Sequence, residues 1–174
     1  LFKGRTAHNH SIPLSAVEYG HYQAALDMVD RFFPPAAQPL ARMVYGKRAA
    51  SSLHALAETL KRRQQHMGEM SEAEAALIAE SDGQGDETEV DEAKVIHTGS
   101  TSTKAERTAI KTLVEQIEAT ASSPASQPSK WKRLTDDCLA KHGILPGNAE
   151  QAVVFTEYAD SAEWIARRLE AEGF

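Results

Sequence analysis

Apolar residues recur along most of this chain three or four positions apart, the spacing of one face of a helix. Val17, Tyr22, Leu26, Val29 and Phe33 form the first such series, which Pro34 and Pro35 end. Ser15 and Glu18 precede it as a capping box, in which each side chain satisfies an orphan amide of the first turn. Leu40, Met43 and Val44, then Leu53, Leu56 and Leu60, continue the pattern to Met67. Gly46 or the Ser51–Ser52 pair interrupts it, predicting two helices or one bent one. A short Ala/Glu-rich helical turn is expected after Gly68, as far as Ile78. Ile110, Leu113, Val114 and Ile117 make the most regular stripe, behind a second capping box of Thr103 and Glu106. After a Pro/Ser connector at 122–129, Trp131, Leu134, Cys138 and Leu139 mark a further helix that Gly143 closes.

Two segments break the helical rhythm. Residues 6–14 have loose strand character, with Ile12 and Leu14 on one side and Pro13 restricting any pairing to an edge. Ala152 to Phe155 is a continuous apolar run, the pattern of a buried parallel strand. A helix follows it, capped by Asp160 and Glu163, with Trp164, Ile165 and Leu169 as its buried face and Gly173 as its left-handed stop. Strand, short polar loop and helix predict the opening of a doubly wound α/β sheet, a unit that cannot fold alone. With Leu1 in the place of an initiator Met and no further strand before Phe174, the chain is expected to be a fragment of a larger machine.

Charge changes this picture in one stretch. Residues 1–66 carry nine Lys or Arg against four Asp or Glu, residues 67–92 none against ten, and the remainder ten against eleven. The basic first section stays compatible with phosphate contacts despite a net charge of −6. Residues 80–92, with seven acidic groups and no cation, are expected to be disordered or a mobile loop. No apolar run approaches the roughly 20 residues of a membrane span, and no signal-peptide pattern opens the chain, so a soluble, cytoplasmic setting is expected. The lone Cys138 agrees with a reducing compartment.

Most candidate chemistry fails on spacing. The Gly46–Lys47 pair lacks the upstream glycine and the following hydroxyl of a phosphate-binding loop, for Ala41 and Arg48 stand there. Asp91 to Lys94 follows GDETEV, too polar for the buried strand that ends in a magnesium-binding acid, and reads as a solvated acidic loop. His8 and His10 have no third ligand nearby. Ser51, Ser52 and His54 lie too close on a helix to form a nucleophile and base, and Cys138, Trp131 and Trp164 read as packing residues.

AVVFTEYADSAEWIARRLEAEGF resembles the strand and helix that open the second RecA-like lobe of bacterial Swi/Snf-type superfamily-two helicases and ATPases. SIPLSAVEYGHYQAAL is similar to the segment leaving the first lobe. KRAASSLHALAETLKRR resembles the Arg-rich helical stretch of the branch typified by the RNA-polymerase-associated translocase, and KWKRLTDDCL the helix before the second lobe. The resemblance implies a mainly α fragment ending in the first β-α unit of an α/β RecA-like lobe. Its parts are an exit strand at 1–14, a helical inter-lobe region at 15–79, an acidic disordered loop at 80–103, a helical pair at 104–145 and the opening β-α unit at 150–174. It implies a parent that hydrolyses ATP with magnesium and moves on double-stranded DNA, with RNA polymerase or another DNA-bound protein as partner. It implies further that the fragment itself is not expected to hold a cofactor or to catalyse a reaction. Thr156, at the carboxyl end of the strand, is the first choice for a DNA-backbone contact, with Lys47, Arg48, Arg62 and Arg63 behind it. The competing expectation is a non-enzymatic helical protein-interaction module.

Overall fold

The computed structural model describes residues 7–67, 87–122 and 127–174, and among these the protein is mainly helical, with no strand. Helix α1 spans Ala16–Phe32, α2 Gln38–Ser51, α3 Leu53–His66, α4 Glu87–His97, α5 Thr103–Ser122, α6 Ser129–Arg133 and α7 Ala159–Ala171. The helical turn expected between Gly68 and Ile78 lies outside the described residues, as does the larger part of the acidic run.

Local sequence sets several helix ends. The capping box of α1 forms: the Ser15 amide donates to Glu18 Oε2 at 2.8 Å, and the Glu18 amide donates to Ser15 Oγ at 3.2 Å. Phe33 leaves the helix in an extended conformation because the two prolines after it cannot continue it. Between α2 and α3 the break falls at Ser52, extended at φ −159° and ψ 151°, whose hydroxyl accepts from the Ala55 amide and starts α3. After Arg133 the chain winds through a π turn at Leu134–Leu139 and a 3-10 turn at Ala140–His142. Gly143 then stops it at φ 75°, a left-handed conformation that a side chain would strain.

Helix α3 is the hub, packed against α2, α4, α5 and, less extensively, α7, while α1 closes the bundle against α2 and α5. Val29, Phe33, Tyr45, Leu56, Leu60, Val95, Ile110 and Ile117 meet in a continuous core. Each large aliphatic side chain buried there contributes about 1.5–3 kcal/mol. Among the described residues the core's buried members lie between Ala25 and Ile117, with Tyr22 and Ala24 packed against them. Nothing from residues 129–174 joins it, although Trp131, Leu139 and Tyr158 are buried locally.

Several expectations need correction. The segment 87–97 is helix rather than part of a disordered acidic loop, and Glu92 within it is buried, not solvated. The sequence hides the reason, because Glu92 is neutralised by arginines from two other helices while Val95 and Ile96 bury beneath it. Glu106 directs its carboxylate at Arg63 rather than at a capping box with Thr103. Asp160 likewise turns to Arg48 and Arg62, and α7 starts from Tyr158 with no side-chain cap. Residues 7–14 are irregular. Residues 151–156 run without a pairing partner among the described residues, leaving Val153 78% and Phe155 90% exposed.

Candidate functional site

Two charged constellations grow out of α3. Arg63, with no exposed surface, donates from Nε to Glu106 Oε1 at 2.6 Å and from one terminal nitrogen to Oε2 at 3.1 Å. Its other terminal nitrogen reaches the carbonyls of Val95, Ile96 and Thr98 at 2.9, 3.1 and 2.8 Å. Those carbonyls belong to the last turn of α4 and the residues after it, so one side chain caps α4 and ties it to α3 and α5. The guanidinium also lies 4.1 Å above the Phe33 ring, and Phe33 meets Tyr45 edge-on at 6.0 Å. The Tyr45 hydroxyl is buried and has no hydrogen-bond partner among the described residues, and burial pushes this phenol far above its ordinary range.

The second constellation is a quartet of two arginines and two carboxylates from four helices. Arg48 of α2 pairs with Glu92 of α4, and its other terminal nitrogen lies 3.0 Å from Asp160 Oδ2 at the start of α7. Arg62 of α3 bridges the same acids, 2.8 Å from Glu92 Oε1 and 2.7 Å from Asp160 Oδ2. Thr59 donates to Glu92 at 2.6 Å. The Tyr158 ring stacks beneath Arg48 at 4.0 Å. Burial works to raise the Asp160 carboxyl, but the hydrogen bond and charge of Arg62 and the charge of Arg48 outweigh it and hold it below the usual range. Burial lowers Arg48 against the pull of Asp160.

Beside this quartet opens a cleft of about 610 Å³, bounded by the 10–14 segment, the α2–α3 junction, α6, and residues 155–165. Ile12, Leu14, Leu53, Leu134, Phe155 and Ile165 supply apolar lining, and Lys47, Lys130 and Glu157 bring charges to it. His54 stacks on Trp164 with ring centres 6.4 Å apart, and Trp164 meets Trp131 edge-on at 5.4 Å. Burial lowers His54 below the usual histidine value. Glu18 lines one end. Burial works to raise its carboxyl, but hydrogen bonds from Ser129 and Ser15 prevail and hold it low.

The five residues singled out from sequence part company here. Lys47 and Thr156 are exposed and share the cleft. Arg62 is half-buried and engaged with Glu92 and Asp160, while Arg48 and Arg63 are buried in ion pairs and present no charge to the surface. Ser51 and Ser52 serve structure: both hydroxyls lie within hydrogen-bond distance of Ser161 Oγ, at 3.0 and 2.9 Å. Sequence reading missed Glu92, Glu106 and Asp160 as ion-pair partners, since each pairs across 30 or more residues and no local pattern signals it. Among the described residues no group of three or more His, Cys, Asp or Glu could hold a metal ion. No described helix is long and apolar enough to cross a membrane. Comparison with known proteins finds no matching family model, no matching curated protein and no matching solved structure.

Proposed function

We propose that this chain is the inter-lobe piece of an ATP-driven motor that moves on double-stranded DNA, and that residues 150–174 open its second RecA-like lobe. One observation carries the reading: the apolar run 152–155, unpaired among the described residues and with Val153 and Phe155 exposed, leads into a helix anchored by Asp160. Leaving such a run bare costs hydrophobic free energy, and adding neighbouring strands on it removes that cost. The order of the segments that resemble Swi/Snf-type ATPases supports the same reading. In it, ATP and magnesium bind elsewhere in the parent, and this piece transmits lobe movement. Thr156 and Lys47, exposed on one cleft, are its DNA-backbone contacts; Arg48, Arg62 and Arg63 serve the architecture instead.

The test is ATP hydrolysis by the complete gene product with and without duplex DNA. Stimulation by DNA, reduced by Lys47→Glu, is the expected result; a folded product that hydrolyses no ATP in either condition defeats the proposal. The apolar-lined cleft favours a second reading, a helical protein-interaction module. That reading predicts a bound protein partner for a gene product without ATPase activity.

A further inference from the structure

The protein has two parts joined in different ways. Helices α1 to α5 share one apolar core, to which residues 129–174 contribute nothing. Those later residues hold together among themselves. Trp131 of α6 meets Trp164 of α7, Arg168 lies 4.7 Å over Trp131 and 5.3 Å over Trp164, and the Gly147 amide donates to the Gly173 carbonyl at 3.0 Å. Toward the bundle, α7 packs on α3, and a set of polar contacts ties the two together. Ser129 donates to Glu18, Lys130 to the Ala50 carbonyl, Ser161 meets Ser51 and Ser52, and Asp160 sits between Arg48 and Arg62. His54 stacks on Trp164 and Arg48 on Tyr158 at the same junction, and the open cleft lies beside it.

We propose that residues 129–174 form a module that docks on the α1–α5 bundle through a charged latch, Asp160 held between Arg48 and Arg62, and that it detaches while the bundle stays folded. Apolar burial makes a junction cooperative with the core it extends; a polar junction exchanges its contacts for water at little net cost and opens separately. The quartet is neutral when closed, with Glu92 and Asp160 balancing the two arginines. Loss of Asp160 from it uncovers one excess positive charge, which water and salt stabilise in the open form. Opening carries Phe155, Thr156, Ser161 and Trp164 away from the α2–α3 junction, so the latch sets the width of the cleft. The device works whether or not the parent is a DNA motor.

Hydrogen exchange on the intact chain tests it, with neither nucleotide nor DNA present, so that its outcome is separate from that of the motor reading. Amides of Ala159–Ala171 are expected to exchange faster than those of the buried Ile110–Ile117 stretch of α5. Asp160→Asn is expected to speed the former about tenfold, the factor carried by one weakened ion pair, and to leave the latter unchanged. Raising salt from about 0.1 M to about 1 M is expected to speed α7 exchange in the natural protein and much less in the variant. Arg62→Gln reaches the same latch from the other side and is expected to match Asp160→Asn. Equal acceleration of α5 and α7, no acceleration of α7 in either variant, or a salt response identical in variant and natural protein each overturns the latch.

Discussion

Replacing Glu106 of α5 by Leu, Arg63 of α3 by Met, and both together separates the cost of a stranded charge from that of uncapped carbonyls. Alone, Glu106→Leu leaves a guanidinium with no exposed surface facing the carbonyls of Val95, Ile96 and Thr98 and the Phe33 ring, with no anion to balance it. Removing one partner of a buried pair costs about 3–5 kcal/mol. Arg63→Met strands the Glu106 carboxylate and uncaps α4, a loss of the same size. Against a total stability of about 5–15 kcal/mol, either change takes a large share. The double variant buries no lone charge; its remaining cost is the lost donation from Arg63 to three carbonyls, of which that of Val95 keeps the Thr98 amide, at about 1 kcal/mol each. It should therefore lie at least about 3 kcal/mol closer to the natural protein than the sum of the single losses, although far from fully stable. Urea unfolding followed by helical circular dichroism measures all four proteins. A double variant whose loss equals the sum of the two singles within about 0.5 kcal/mol would refute the account of Arg63 as both ion-pair partner and cap.

Tyr45→Phe removes a buried hydroxyl that lacks a partner and should leave stability unchanged or raise it by up to about 1 kcal/mol, read by the same unfolding curves; a loss beyond about 1 kcal/mol would mean the hydroxyl is satisfied. Ser15→Ala removes the hydroxyl that accepts from the Glu18 amide and should cost about 1 kcal/mol, with α1 amides losing exchange protection first. Asp160 has a lowered folded-state pKa, so its contribution is present above its unfolded value of 3.8 and lost as pH falls through the lower folded value; α7 exchange should rise in that acid window in the natural protein but not in Asp160→Asn. Phe155→Ser, at a site 90% exposed, should change the stability of this chain by no more than about 0.5 kcal/mol; a larger loss would show that Phe155 is packed.

Where a side chain acts within one turn of its own backbone, the sequence determined the outcome. The Ser15 and Glu18 box, the break at Ser52, the stop of α1 before Pro34 and the left-handed Gly143 and Gly173 follow from covalent geometry and nearby hydrogen bonds. The apolar stripe from Ile110 to Ile117 also lies in the core as its spacing requires. Only the tertiary structure decided the fate of the charges. Glu106 and Asp160 stand where a first-turn acid commonly serves a helix start, and Glu92 stands in a run that composition alone assigns to solvent, yet all three meet arginines brought from other helices. An ion pair between residues distant along the chain leaves no periodic trace, because its energy depends on burial and mutual geometry, and these exist only once the helices have packed.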